Sequence, residues 1–230
     1  GVLTGVLITA LIQSSSASTV TVVSFVNAGL LTLTQSIGVI MGANIGTTVT
    51  AWLISALGFK VDIAAFALPL LAFGIPLLFS GKSSRKSVGE FIFGFSFLFM
   101  GLQALKANAP DLGANPEMLA FVQNYTDMGF LSIILFLFIG AILTMIVQAS
   151  AATMAITLIM CANGWIDYHL GVALVLGENI GTTITANLAA LTGNTQSRRA
   201  ALAHLVFNIF GVMWVLVLFY PFTAAVSWFV

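Results

Sequence analysis

The chain states one pattern twice. Gln13, Ser14, Ser15, Ser16 and Ala17 return as Gln148, Ala149, Ser150, Ala151 and Ala152, and Gly42-Ala43-Asn44-Ile45-Gly46-Thr47-Thr48 returns as Gly177-Glu178-Asn179-Ile180-Gly181-Thr182-Thr183. The shift from 13 to 148 equals the shift from 42 to 177, 135 residues in each case. Gly29/Gly164 and Gly58/Gly193 keep it, so the duplicated unit runs without a gap from about residue 13 to residue 58. The repeated residues are polar and their surroundings are not: 60% of the 230 residues are hydrophobic, 6% are charged, and the mean hydropathy is +1.11. A water-soluble domain usually carries about a quarter of its residues as charges, so this chain is expected to lie in a membrane. Polar motifs doubled inside such a chain are the mark of two structural halves that meet at one internal site, as in secondary transporters.

Several classes drop out early. The net charge is zero, so no basic surface argues for a nucleic-acid partner. Cys161 is the lone cysteine and lies in an apolar stretch, which excludes a disulfide framework and suits a packed small residue. His169 sits in an Asp-Tyr-His segment and His204 in an apolar run; no second His or Cys accompanies either, so both read as solvated or locally bonded rather than as metal ligands. No glycine-rich phosphate loop, metal cluster or Ser/His/Asp constellation appears, so nothing argues for an enzyme or a cofactor. The chain opens on Gly1 with no initiator Met and no charged leader, and is read as lacking upstream residues.

A bilayer core of ~30 Å needs ~20 apolar residues per helical crossing. Residues 61–79, with Pro69 and Pro76 as kinks, 88–105 and 200–220 fit without interruption. The apolar stretch 2–30 is cut at residues 13–16, the stretch 34–57 is cut at Gly42 to Gly46, and the second copy has the same two cuts. Glycines at these positions allow the backbone to unwind, which membrane depth tolerates only where protein or a cavity satisfies the freed groups. The expected fold is an all-α integral membrane protein with two inverted-topology repeats, each a re-entrant helical hairpin followed by a broken transmembrane helix. Residues 1–58 form the first repeat, 59–128 the connecting transmembrane helices and external loop, 129–193 the second repeat, and 194–230 the final transmembrane helix.

Charge placement supports the inversion. If each Gln-Ser segment enters and leaves on one side while 34–57 and 170–192 each cross, Lys82, Arg85, Lys86, Arg198 and Arg199 share a side. The opposite side takes Asp62, Asp111, Glu117, Asp127 and Asp167 against only Lys60 and Lys106. Basic short loops mark the cytoplasm. Three crossings then separate the hairpins, and an odd number inverts the second unit. Hairpin arms that crossed fully would leave that parity unchanged.

The motifs carry chemistry suited to ions. Gln13, Ser14, Ser15 and Ser16 offer a carboxamide, hydroxyls and, where a half-helix begins, backbone N–H groups that attract anions. Helix capping alone would account for one serine, not for three in a row repeated in part at 148. The two Asn-Ile-Gly-Thr-Thr elements offer neutral oxygens that suit a small cation such as sodium. Their bland alternative is a glycine-mediated helix contact with threonines bonded back to the preceding turn. Glu178 is the one acid this topology places inside the membrane, with Ala43 in the matching position. It is an ion ligand, proton carrier or counter-charge, or else a packed side chain at a helix break. The Gln13 and Gln148 carboxamides are expected to bridge each hairpin to a coupling cation or to the partner hairpin, and Ser15 and Ser150 to meet near mid-membrane.

The doubled motif, Gln13-Ser14-Ser15-Ser16-Ala17 with Gly-Ala-Asn-Ile-Gly-Thr-Thr downstream, resembles the type II sodium/phosphate cotransporter family, bacterial branch included. The resemblance implies sodium-coupled transport of inorganic phosphate across the cytoplasmic membrane, with phosphate, sodium and the lipid bilayer as partners; a homodimer is among the assemblies open to it. Carried over by position, Gln13, Ser14, Ser15, Ser16, Gln148 and Ser150 would hold phosphate. Asn44, Thr47, Thr48, Glu178, Asn179, Thr182 and Thr183 are inferred sodium ligands. Ala149 and Ala151 depart from the doubled serine pattern. The alternatives are a carrier of another small oxyanion, or a membrane scaffold or passive channel whose glycines serve packing. A scaffold has no use for matched polar breaks in both halves.

Overall fold

The computed structural model describes residues 1–60, 64–107 and 124–229, and among them every regular element is a helix. In chain order these are α1 (Val2–Ile12), α2 (Ser15–Asn27), α3 (Leu33–Lys60), α4 (Ala64–Leu78), α5 (Ser83–Ala107), α6 (Phe130–Val147), α7 (Ser150–Ala162), α8 (Tyr168–Gly181), α9 (Thr183–Ala190), α10 (Thr195–Val217) and α11 (Phe219–Phe229). Among the described residues, four helical stretches are long and apolar enough to cross a bilayer: Leu33–Ala56, Ser83–Ala104, Phe130–Val147 and Thr195–Val217. Large apolar side chains face outward along the helices; Leu11, Phe79, Val217, Trp228 and Phe229 are 80–87% exposed. Water would penalise such a surface at ~25 cal/mol per Å²; lipid does not. Asp62, Asp111 and Glu117, three of the acids assigned to one membrane side, lie outside the described residues.

Contacts divide the chain into two units, residues 1–51 with 115–230, and residues 52–114. In the second unit α4 packs along α5, and Pro69 and Pro76 fall inside α4 as the sequence predicts. The first unit holds the second copy of the repeat and the first copy as far as Ala51, and over these residues its structure is duplicated as its sequence is. Each copy begins with a helical pair, α1–α2 and α6–α7, joined through a glutamine in left-handed backbone: Gln13 at φ 57° and Gln148 at φ 54°. Non-glycine residues rarely adopt that conformation, which costs roughly 1–2 kcal/mol. In both turns the glutamine N–H donates to a threonine carbonyl four residues back, Thr9 or Thr144, at 2.8 Å. An extended residue, Ser14 or Ala149, then starts the next helix.

Behind each pair lies a helix that touches it through glycine. A Cβ on Gly42 would overlap the Val2 carbonyl, and one on Gly177 the Leu137 carbonyl; on Gly46 and Gly181 it would fall 2.8 Å from the Cβ atoms of Thr9 and Thr144. All these pairs keep the spacing of 135, so the duplication reaches back to residue 2, beyond the start legible in the sequence. The use of glycine for close packing corrects one expectation. α3 is continuous from Leu33 to Lys60 through Gly42 and Gly46, and in the second copy the interruption is confined to Thr182, which keeps helical φ −59°, ψ −26°. Neither helix unwinds, because the glycines are spent on backbone contact. The threonines bond back along the helix: Thr47 to the Ala43 carbonyl, Thr48 to Ile45, Thr182 to Glu178 and Thr183 to Ile180, at 2.7–3.0 Å.

The last apolar stretch, expected to form one helix over 200–220 within a single closing segment, is two. α10 ends at Val217, Leu218 leaves helical geometry at φ −106°, ψ 28°, and α11 begins at Phe219. Pro221 is the reason: it has no N–H for the Val217 carbonyl and its ring would clash there.

Candidate ion-binding site

The two pairs aim their second helices at one place. α2 starts at Ser15 and α7 at Ser150, and both serines line a cavity of about 20 Å³ within the first unit. Asn44 and Thr47 of α3 line it too, as do Met154 of α7 and Val175, Glu178, Asn179 and Thr182 from α8 and its end. A space of that size takes about one water or one bare ion. The first N–H groups of any helix have no intrahelical acceptor, so two positive helix ends face the cavity alongside hydroxyl, carboxamide and carboxylate oxygens.

Among the described residues, two buried oxygens of cavity-lining side chains have no hydrogen-bond partner, the Ser15 hydroxyl and Glu178 Oε2. Ser15 is 4% exposed and Glu178 3%. The other carboxylate oxygen, Oε1, accepts from the Thr157 hydroxyl at 2.7 Å. A buried carboxylate satisfied on one oxygen only is costly, and a cation beside Oε2 would remove that cost. Asn44 is held from the far side by α10. Its Nδ2 donates to Asn208 Oδ1 at 3.0 Å, and its Oδ1 lies 3.2 Å from His204 Nε2.

Of the residues singled out in the sequence, Ser15, Asn44, Thr47, Ser150, Glu178, Asn179 and Thr182 line this cavity; Gln13, Ser14, Ser16, Gln148, Thr48 and Thr183 do not. Ser14 caps α2, its hydroxyl accepting from the Ala17 N–H at 3.2 Å. The Gln13 carboxamide does not reach the partner hairpin. It donates to the Ala10 carbonyl and accepts from the Thr50 hydroxyl at 2.9 Å, bracing the first turn on its own repeat. Gln148 is exposed, and Thr185, the counterpart of Thr50, bonds back to the Thr182 carbonyl at 2.9 Å. The sequence reading missed Thr157 and Asn208 and set His204 aside. Polar residues four apart on the apolar α10, His204 and Asn208, were the available signal.

The chain matches the Na+/Pi-cotransporter family over residues 1–107 and 113–227. It is 32% identical to uncharacterized protein YqeW of Bacillus subtilis over 231 aligned positions, 99% of this chain and 70% of that protein. Against the putative inorganic phosphate export protein YjbB of Salmonella typhimurium it is 30% identical, across 94% of this chain but only 38% of that one. A shorter stretch of 70 residues, 29% of this chain and 11% of the relative, is 49% identical to sodium-dependent phosphate transport protein 2A of Ovis aries. No solved structure matches. The match runs through both repeats and every helix that lines the cavity, and the chain belongs to the Na+/Pi-cotransporter family, whose members are membrane transporters rather than enzymes.

Proposed function

We propose that the protein is a sodium-coupled symporter of inorganic phosphate in the cytoplasmic membrane, working by alternating access of two inverted repeats. One observation carries the reading: a single cavity joins the first residues of α2 and α7 and is lined by Ser15 and Glu178, each of which carries a buried oxygen, Oγ and Oε2, without a hydrogen-bond partner among the described residues. Glu178, with the oxygens of Asn44, Thr47, Asn179 and Thr182, forms the cation side. Ser15, Ser150 and the N–H groups beginning their helices form the anion side.

Coupling follows from charge. Without sodium the Glu178 carboxylate repels a phosphate dianion across a few ångströms of low-dielectric protein; a bound sodium cancels that repulsion, so each ligand strengthens the other's binding by the same factor. In alternating access, loading and release require the two hairpin tips to separate toward one side or the other. Both hairpins are then re-entrant, with the basic residues at 82–86 and 198–199 in the cytoplasm. The names of the relatives include both sodium-dependent transport and export; in this mechanism the sodium and phosphate gradients set the direction of net flux.

Uptake of labelled phosphate into proteoliposomes tests the reading. An inward sodium gradient should drive accumulation, and arsenate should compete better than sulfate. A scaffold gives no uptake, a passive channel gives uptake indifferent to the sodium gradient, and either result sinks the proposal.

A further inference from the structure

Two residues of α10 reach the site without lining the cavity. His204 is 1% exposed and Asn208 6%, and four-residue spacing sets both on one helix face, which meets Asn44 of α3. The orientation of all three side chains is dictated by one backbone atom. Asn208 Nδ2 lies 2.9 Å from the His204 carbonyl, which can only accept, so the amide nitrogen of Asn208 points there and its oxygen points to Asn44. At 3.0 Å that oxygen requires the Asn44 Nδ2. Asn44 Oδ1 is then turned to His204 Nε2 at 3.2 Å, and Nε2 must be the donating nitrogen. Asn44 keeps one lone pair and one N–H for other partners.

We propose that His204 and Asn208 are positioning residues for the ion site, a relay on α10 that locks the Asn44 carboxamide in one of its two orientations. The proposal rests on the reading of the cavity as the transport site. The relay is not part of the duplication: the positions 135 residues before His204 and Asn208 are Pro69 and Phe73. It is therefore a device that one half of the site has and the other lacks. Without it the carboxamide is free to rotate by 180° and present its N–H where its oxygen belongs, which a cation would feel and general packing would not.

The test is labelled phosphate uptake in proteoliposomes, with half-saturating sodium and half-saturating phosphate measured for wild type, His204→Phe, His204→Gln and Asn208→Leu. Elution of each purified variant as a single species checks folding. His204→Phe and Asn208→Leu should each raise half-saturating sodium by about tenfold, the effect of roughly one hydrogen bond, while maximal rate at saturating ligand stays within about threefold. His204→Gln keeps an N–H donor and should come back to within about threefold of wild type. Sodium curves of His204→Phe and Asn208→Leu that superimpose on wild type overturn the proposal. So does a Gln variant as impaired as Phe, which would make the ring's packing, not its hydrogen, the important feature. Should His204→Phe fail to fold, Asn208→Leu against His204→Gln decides. If wild-type uptake ignores sodium, it is the proposed function that fails, and the phosphate half-saturation of the same variants then decides the relay.

Discussion

The two halves share a backbone and differ in what they do with it. Both turn on a left-handed glutamine, both press a glycine-bearing helix against the hairpin, and both present a serine at the cavity. The first half is braced: Gln13 is tied to Thr50, Ser14 caps α2, and Asn44 is held by His204 and Asn208. In the second half the equivalent glutamine is exposed, Ala149 offers no cap, and a carboxylate, Glu178, stands where the first half has Ala43. Duplication thus fixed the packing, and divergence supplied the chemistry: one half is built to hold still, the other carries the charge.

The sharpest check on the shared part is steric. Gly42→Ala and Gly177→Ala each drive a methyl into a backbone carbonyl, and should each destabilise the protein by about 3 kcal/mol or more. Yield of monodisperse protein and thermal unfolding in detergent read the effect. A large loss in one half and none in the other would show that the halves do not pack alike.

Next comes the charge. Glu178→Gln keeps shape and removes the carboxylate, so half-saturating sodium should rise about tenfold, with phosphate half-saturation moving less than about threefold. Superimposed sodium curves would show that Glu178 is no coupling-ion ligand. The reciprocal change, Ala43→Glu, should not build a second site. The residue matching Thr157 in the first half is Val22, 7% exposed, so the new carboxylate would lack a donor and cost several kcal/mol. A stable Ala43→Glu protein with a gained sodium dependence would break the contrast.

The glutamine turns give a smaller, differential effect. Glycine removes the cost of left-handed backbone, about 1 kcal/mol. Gln148→Gly should gain that stability, whereas Gln13→Gly should end near zero, because it also gives up the Thr50 bond, about 1 kcal/mol. Equal shifts in thermal stability would mean that the Thr50 brace contributes nothing. Smallest of all, Ala149→Ser copies the cap of the first half and should stabilise by about 0.5–1 kcal/mol; no gain would place the α7 start in a different geometry from α2.

The sequence made the site legible where polarity and repetition coincided. Ser15, Asn44, Ser150 and Asn179 stood out because polar groups at matched positions in an apolar chain need a reason, and Glu178 because it is an acid where the other copy has Ala43. Local backbone was harder to read. Gly42 and Gly46 looked like places to unwind, yet a glycine serves close packing as well as flexibility, and only the partner helix decides which. Hydropathy puts the end of α10 at residue 220 instead of Val217 because it runs smoothly through Leu218, while Pro221 breaks the hydrogen-bond ladder one turn earlier than its own position. Thr157 and Asn208 were missed for a third reason. Their roles depend on contacts 21 and 164 residues away along the chain, and no local pattern carries that information.

The central claim is that sodium and phosphate share one cavity and bind it cooperatively. Equilibrium binding of labelled phosphate to the purified protein, titrated in sodium with choline held as the balancing cation, tests it most directly. Phosphate affinity should climb with sodium, and sodium affinity should climb by the same factor when phosphate is present. In Glu178→Gln this mutual gain should shrink. Phosphate affinity that stays flat across the sodium titration would contradict the shared site.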